Sequence, residues 1–168
     1  ANLSYTLDLG EAVFDADFVV ETVPEKTEIK QSVFRQLEEL APKGAILASN
    51  TSGIPITELA EVCQRRNRVV GMHWSNPPHL IPVIEVIRGA ETDPATIEAT
   101  FAVSKDIGMI PAAVDKDVAG FVENRILYAI MREALHLLDE GVASAEAIDT
   151  IAKWGIGYKL AVIGPLEL

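Results

Sequence analysis

Two residues that could carry out acid–base chemistry lie in neighbouring apolar runs of this chain. His73 ends one run, and Glu85 lies inside the next, between valine and isoleucine side chains. A carboxylate in such surroundings is costly to bury unless a charged or hydrogen-bonding group pairs with it. The stiff loop between them, which contains Pro77, Pro78 and Pro82, could return Glu85 to His73. A histidine oriented by a buried carboxylate is suited to proton transfer.

The elements around this pair predict an α/β fold with a mostly parallel sheet. Buried strands are predicted by apolar runs at residues 17–23, 45–49, 68–73, 83–87 and 109–114. Helices are predicted at residues 24–40, from about 56, and at 93–107 with a proline in the first turn. Alternating strands and helices are typical of a doubly wound sheet with helices on its faces.

Polar residues follow three of the predicted strands. They lie at residues 21–25, 49–52 and 73–76. Ligands of parallel sheets bind in the crevice beyond the carboxyl ends of the strands. We therefore expect these three segments to border one crevice, which is the candidate site.

The pattern changes towards the carboxyl end of the chain. Residues 120–125 lead into a long helix, and Ser144 caps a second helix to about Trp154. We therefore predict two partial domains, residues 1–116 of Rossmann type and residues 117–168 all helical. No Gly-x-Gly-x-x-Gly loop occurs in the chain, so either the fold does not bind a dinucleotide or its first strand–loop–helix unit lies upstream. We expect the chain to be incomplete at both ends.

Composition argues against several classes of function. The net charge of −11 argues against non-specific binding to nucleic acid or to an anionic membrane. Cys63 is the only cysteine, so an internal disulfide and a zinc cluster are excluded, and we interpret it as a helical core thiol. Apolar runs are too short to span a membrane, and the start of the chain does not resemble a signal peptide. We expect a cytoplasmic protein without a metal ion.

Several pieces of the chain form a specific combination. They are Val19–Glu25, Ser49–Ser52, His73–Pro77, Glu85 and Gly120–Arg125. In order and spacing, from about Asp17 onward, they resemble the 3-hydroxyacyl-CoA dehydrogenase family. The resemblance implies a doubly wound NAD-binding domain (residues 1–116), followed by a helical domain (residues 117–168) that usually dimerises. It also implies that the missing glycine-rich loop lies upstream of Ala1.

The resemblance implies catalytic roles for a small set of residues. His73 is similar to the base that takes the hydroxyl proton as hydride leaves for the nicotinamide, and Glu85 to the carboxylate that orients its ring. Ser52 and Asn124 resemble the residues that hold the substrate hydroxyl or carbonyl, and the family places Ser52 near the nicotinamide as well. The implied activity is that of a dehydrogenase with a His–Glu proton-transfer pair.

Further residues resemble contacts on the cofactor side, namely Glu25, Lys30 and Asn76. Lys30 could instead form a solvated charge pair on its helix. Asn50 and Thr51 could contact the cofactor, or they could close a turn through side-chain-to-backbone hydrogen bonds. The residues alone leave these alternatives open.

Other polar residues also have alternative interpretations. Asn124 could be only a helix cap, although its place after Gly120 favours the substrate role. His79 lies in the proline loop and is interpreted as a residue at the rim of the site. His136 is interpreted as a packing residue of the long helix.

Two segments bear on the substrate. Residues 76–82 and 154–167 resemble a branch of the family that includes L-gulonate 3-dehydrogenase (lambda-crystallin) and a pyridoxine-degradation dehydrogenase, which use small acidic substrates without coenzyme A. Lys159, in a predicted turn, could meet a compact carboxylate, whereas Arg125 and Arg132 share a helical face and could hold nucleotide phosphates. We expect a small carboxylate-bearing hydroxy or aldehyde compound in preference to a 3-hydroxyacyl-CoA.

Two classes of function follow from the resemblance. The first is an NAD-dependent dehydrogenase that acts on a small molecule and forms a homodimer through its helical domain. The second is a non-catalytic structural or NAD-binding protein on the same fold, as crystallins are. Because a non-catalytic scaffold has no need of an intact His73–Glu85 pair, the sequence favours the enzyme.

Overall fold

The computed structural model describes residues 3–167. These residues form two compact units that divide between Val122 and Glu123. The predicted domain boundary, between residues 116 and 117, lies a few residues before this division and stays a prediction. In the described part of the chain, no helix combines the length and the apolar character that crossing a lipid bilayer requires.

A five-stranded sheet forms the centre of the first unit. Its strands are β1 (Phe18–Glu21), β2 (Ile46–Ser49), β3 (Val69–Trp74), β4 (Val83–Ile87) and β5 (Ile110–Val114). They lie side by side in chain order, and every pairing is parallel except that of β3 with β4. The predicted mostly parallel sheet is therefore confirmed. The antiparallel pairing arises because the proline loop after β3 turns the chain straight back beside that strand.

Helices cover the sheet. In the described part of the first unit they are α1 (Leu9–Val13), α2 (Thr27–Leu40), α3 (Ile56–Ala60) and α4 (Pro94–Asp106). The helix predicted at residues 24–40 is α2, and its predicted start at Pro24 is wrong, because the Pro24 carbonyl accepts a hydrogen bond from Lys26 N and forms a turn before α2. Cys63 is buried as expected but follows α3 in irregular structure, and its burial raises the pKa of the thiol to about 12.

Alternating side chains on the strands contribute to two hydrophobic cores, one on each face of the sheet. On β3, Val69 belongs to the core that includes side chains of α2 and α3, whereas Val70 and Met72 belong to the core on which α4 packs. Because side chains alternate, Gly71 and His73 lie on the α2–α3 face. The candidate base is thus carried at the end of the central strand, above a packed core.

The second unit is helical, as predicted. It contains α5 (Glu123–Asp139), α6 (Ala145–Ile151), a π-helical segment (Ala152–Gly157) and α7 (Tyr158–Val162). The Ser144 hydroxyl caps α6, since it accepts a hydrogen bond from Ala147 N at 3.2 Å. The turn predicted around Lys159 is wrong, because the π-helical segment runs directly into α7.

His136 does not pack into the interior of the second unit. Its side chain on α5 is 62% exposed, and its Nε2 lies 3.5 Å from Glu140 Oε1, one helical turn further on. The interpretation of His136 as a packing residue is therefore wrong. Residues four apart on a helix are neighbours on its surface, so the two side chains meet at the solvent-facing side of α5.

Gly71 allows β3 to lie close to the side chains around it. A Cβ atom at this position would lie 2.7 Å from Ile87 Cβ and 2.9 Å from Ile56 Cδ1. We expect Gly71→Ala to lower the free energy of unfolding by about 1–3 kcal/mol, the usual effect of overpacking a core. Denaturant titration of the purified variant measures this difference.

Gly44→Ala is the matched control for that measurement. Among the described residues, a Cβ atom at Gly44 meets nothing within 4 Å beyond its own chain neighbours. An equal loss of stability in the two variants would contradict the prediction for Gly71.

Candidate active site

The antiparallel pairing of β3 and β4 brings the two candidate catalytic residues together. His73 and Glu85 are directly opposite each other in the register of the two strands. His73 Nδ1 lies 2.8 Å from Glu85 Oε2, and the side chains are only 8% and 4% exposed. The prediction that the ring lies within hydrogen-bond reach of the carboxylate is confirmed.

The partner of Nδ1 determines which ring nitrogen can act as a base. An ionised carboxylate only accepts hydrogen bonds, so Nδ1 carries the hydrogen and donates it to Glu85. The neutral ring then has its lone pair on Nε2, the atom that can accept a proton. Once the ring is protonated, the adjacent carboxylate stabilises its positive charge. The geometry of His73 is therefore that of a general base with an orienting carboxylate.

The segment that follows β5 holds this pair in place. Glu85 Oε1 accepts a hydrogen bond from Val122 N at 3.0 Å, so both carboxylate oxygens have a donor. The buried ring of Phe121 lies 5.9 Å from the His73 ring, measured between centroids. Gly120 has a φ of +76°, a backbone conformation that favours glycine, and its N–H donates to the Gly53 carbonyl at 3.2 Å. The pair is therefore tied to the loop that follows β2.

Glu25 organises that loop, which contains Ser52. Its Oε1 accepts three hydrogen bonds, from Thr51 Oγ1 at 2.6 Å, Ser52 N at 2.9 Å and Gly53 N at 3.1 Å. Burial by itself would raise the pKa of Glu25, but these hydrogen bonds and the Lys30 ammonium hold the pKa below its usual value. Glu25 therefore holds the backbone of Ser52 in the loop that follows β2, and its predicted contact with a cofactor stays a prediction.

The Thr51 side chain closes a turn, whereas the Asn50 side chain joins two strands. Thr51 is buried, and its Oγ1 accepts a hydrogen bond from Ile54 N at 3.0 Å. Asn50 Oδ1 accepts from Trp74 N at 3.0 Å and thereby joins the ends of β2 and β3. The turn-closing interpretation is borne out for Thr51, whereas the Asn50 side chain bridges two strands and its possible contact with a cofactor stays a prediction.

Lys30 is buried beneath the strand ends. Its side chain is 1% exposed, and its Nζ lies 2.9 Å from Glu21 Oε1 and 3.4 Å from Glu25 Oε2. It also donates to the Val23 carbonyl at 3.1 Å. The interpretation of Lys30 as a solvated charge pair is therefore wrong, because the apolar side of α2 carries it inward. Its predicted contact with a cofactor stays a prediction.

Sequence reasoning missed Glu21 and Ser49, which complete this buried cluster. Glu21 Oε2 accepts a hydrogen bond from Ser49 Oγ at 2.7 Å, and both residues are buried. The sequence does contain a signal for this cluster. Glu21 ends an apolar run, so, like Glu85, it needs a partner if it is buried. Lys30 also precedes Phe34 and Leu37 by four and seven residues, so it lies in the buried stripe of α2.

A crevice of about 480 Å³ lies at the carboxyl ends of β1, β2 and β3, as the polar segments predicted. It is lined by Val20, Thr22, Asn50, Ser52, Trp74, Asn76 and Pro78. Ser52 and Asn76, two of the predicted site residues, thus border one crevice. His79 is exposed in the loop that follows β3. Asn124 belongs to the second unit, and its role in the site stays a prediction.

Comparison with known proteins gives two family matches that together extend along nearly the whole chain. Residues 1–118 match the model of the 3-hydroxyacyl-CoA dehydrogenase NAD binding domain, and residues 120–168 match that of the C-terminal domain. The chain is 52% identical over 164 residues to the 5-formyl-3-hydroxy-2-methylpyridine 4-carboxylate 5-dehydrogenase of Mesorhizobium japonicum, covering 98% of the chain and 53% of that protein. It is 41% identical over 163 residues to the L-carnitine dehydrogenase of Bacillus cereus, covering 97% and 50%.

A solved structure is also similar to this chain. The crystal structure of a 5-formyl-3-hydroxy-2-methylpyridine 4-carboxylic acid 5-dehydrogenase, an NAD⁺-dependent dismutase, has a TM-score of 0.92 at 52% identity. The match covers 96% of this chain and 52% of the solved chain. The chain spans about half the length of the curated relatives it matches.

The lowered pKa of Glu25 makes its contribution to stability dependent on pH. We compare the free energies of unfolding of the wild-type protein and Glu25→Gln. The stabilisation that Glu25 contributes should have its full value above pH 4.5, the ordinary pKa of the group. It should shrink as the pH falls through the lower pKa that Glu25 has in the folded protein. Denaturant titrations at a series of pH values measure it.

Glu39→Gln is the control for this series, because it removes an exposed carboxylate from the same helix. A stabilising effect of Glu25 that grows as the pH falls would contradict the prediction.

Proposed function

Since the chain belongs to the 3-hydroxyacyl-CoA dehydrogenase family, we propose that the whole protein is a dehydrogenase that oxidises a hydroxyl group by hydride transfer to NAD. The observation that carries the proposal is the 2.8 Å contact between His73 Nδ1 and Glu85 Oε2, with both side chains buried. This contact leaves the ring in the tautomer that can accept a proton at Nε2.

His73 performs the proton transfer in the proposed reaction. Its Nε2 takes the proton of the substrate hydroxyl as the carbon loses hydride. The positive charge that develops on the ring is stabilised by Glu85 through the Nδ1–H bond, and this interaction is stronger in a buried site than in water. Because Val122 N holds the other oxygen of Glu85, the carboxylate does not need to reorient during the reaction.

Ser52 and Asn124 hold the substrate oxygen in this proposal. Ser52 lines the crevice at the end of β2, and its backbone is fixed by Glu25. Asn124 lies at the start of α5 and is carried over from the family resemblance. Together they would orient the reacting carbon, and orientation supplies a large part of catalysis in such sites.

The crevice at the carboxyl ends of β1–β3 fits the nicotinamide end of NAD. Such crevices are where open α/β sheets bind nucleotides, and this one combines the Trp74 side chain with polar groups from Ser52 and Asn76. Glu25 and Lys30 complete the cofactor side of the proposed site, Lys30 through its ion pair with Glu25. When bound, NAD supplies the acceptor for the hydride.

We propose a small hydroxy or aldehyde compound that carries a carboxylate as the substrate. The support is the 52% identity to a relative named for a formyl pyridine carboxylate, together with Pro78, which lines the crevice. Lys159 was expected to meet the substrate carboxylate from a turn. It lies within α7 instead, so it gives this proposal less support. The second candidate is a 3-hydroxyacyl-CoA, which the family name supports.

We propose that the protein is cytoplasmic and forms a homodimer. In this proposal residues 1–116 are part of the NAD-binding domain, and residues 117–168 are part of the helical domain. Apolar side chains that are exposed on α5 support association through this second region. They include Leu127, Met131 and Leu135. An apolar cavity of about 400 Å³ lies within the same unit, lined mainly by side chains of α5 and α6.

Replacement of the proposed base tests the function. We expect His73→Gln to lower kcat by at least about a hundredfold, the usual scale for the loss of a general base. The measurement is the steady-state reduction of NAD by the whole protein. His136→Gln is the matched control, since His136 is an exposed histidine of α5. Turnover of His73→Gln close to that of the wild type would contradict the role of His73 as the base, whereas a wild-type protein that reduces no NAD would favour the non-catalytic, crystallin-like alternative.

The substrate class is tested by comparing two kinds of substrate. We expect a higher kcat/KM for a small carboxylate-bearing compound, such as 5-formyl-3-hydroxy-2-methylpyridine 4-carboxylate, than for 3-hydroxybutyryl-CoA. The physical reason is that a compact site bordered by the proline loop favours a short substrate. Efficient turnover of 3-hydroxybutyryl-CoA without activity on small acids would reverse the assignment.

A further inference from the structure

Glu21 is the last residue of β1 and has no role in the reaction proposed above. Its carboxylate is buried and accepts hydrogen bonds from three directions. The donors are Val23 N at 2.6 Å, Lys30 Nζ at 2.9 Å and Ser49 Oγ at 2.7 Å. An ionised group with so complete a set of partners is held in one position, since any movement would leave buried donors unpaired.

Two routes of contact lead from Glu21 to the loop that contains Ser52. In the first, Lys30 bridges Glu21 Oε1 and Glu25 Oε2, at 2.9 Å and 3.4 Å. Glu25 then accepts the backbone N–H of Ser52 and of Gly53, at 2.9 Å and 3.1 Å. The loop therefore rests on a carboxylate whose position depends on the buried ammonium beneath it.

The second route passes through β2. Ser49 Oγ donates to Glu21 Oε2 at 2.7 Å and accepts a hydrogen bond from Thr51 N at 3.2 Å. Thr51 Oγ1 in turn donates to Glu25 Oε1 at 2.6 Å. Both routes thus start at Glu21 and meet at the same loop.

We infer that Glu21 is a positioning residue, which fixes the Ser52 loop through Lys30 and Ser49 without touching substrate or cofactor. The inference rests on the role proposed above for Ser52. Glu21→Gln removes one of the two negative charges that face Lys30 but keeps the size of the side chain, so Glu25 is left to balance the charge of the ammonium. Glu25 then moves towards the ammonium, and the loop moves with it.

A double-mutant cycle tests whether Glu21 acts through Ser52. Misplacement of a reacting group by about 1 Å can cost on the order of a hundredfold in rate, so we expect Glu21→Gln to lower kcat by about tenfold to a hundredfold. In a Ser52→Ala background the same substitution should have little further effect, because contacting residues of one network are not additive. Additive effects, or full turnover in Glu21→Gln or in Ser52→Ala, would overturn the inference.

Hydrogen exchange tests the inference independently of the reaction. The amides of Ser52 and Gly53 should exchange faster in Glu21→Gln, whereas those of the core strands β3 and β4 should be unchanged. Glu39→Gln, which is exposed on α2, should leave all of these amides unchanged. Unaltered exchange at Ser52 and Gly53 would overturn the inference.

Ser49→Ala tests the inference if Glu21→Gln does not fold, and His73→Gln separates this inference from the proposed function. Should Glu21→Gln unfold, as fast exchange throughout the core would show, Ser49→Ala carries the same test, with a smaller loss of turnover that again disappears in the Ser52→Ala background. Failure of the proposed function appears as wild-type turnover in His73→Gln. If only the positioning role of Glu21 is wrong, His73→Gln still loses turnover. The failure then appears only in the double-mutant cycle of Glu21 with Ser52 and in the exchange rates of the Ser52 and Gly53 amides.

Discussion

The need to pair buried carboxylates organises the first unit. Glu85 and Glu21 are both almost fully buried, and removing the partner of such a group typically destabilises a protein by about 3–5 kcal/mol. Apart from the nearby Val23 N, the donors to these two carboxylates therefore lie on other parts of the fold. The donors are His73 and Val122 N for Glu85, and Lys30, Ser49 Oγ and Val23 N for Glu21. The same contacts that stabilise the fold hold the candidate catalytic groups still.

The antiparallel pairing of β3 with β4 is the part of the topology on which the catalytic pair depends. A parallel partner would have required a crossover connection of a dozen or more residues, usually a helix, whereas the proline loop joins the two strands directly. The register places His73 opposite Glu85. A slip of one residue would move the carboxylate to the other face of the sheet, where apolar side chains such as Met72 and Val86 pack.

The segment that leaves the sheet after β5 is held at three places in the first unit. Asp117 Oδ2 accepts a hydrogen bond from Thr57 N at 2.6 Å, at the start of α3. Gly120 N donates to the Gly53 carbonyl, and Val122 N donates to Glu85. The segment therefore joins the proton-transfer pair to the loop of Ser52, which otherwise belong to different strand ends.

The sequence by itself determined the strands, most helix positions and the pairing of His73 with Glu85. Runs of apolar residues identify the buried strands. A carboxylate within such a strand must have a hydrogen-bonding or charged partner, so the sequence also indicates that Glu85 is paired. Only the tertiary structure decided that Lys30 is buried between Glu21 and Glu25, and that Glu25 supports the loop of Ser52. The physical reason is that local patterns report which face of an element is buried, whereas the partner of a charge on that face comes from elements remote in the chain and depends on how they pack.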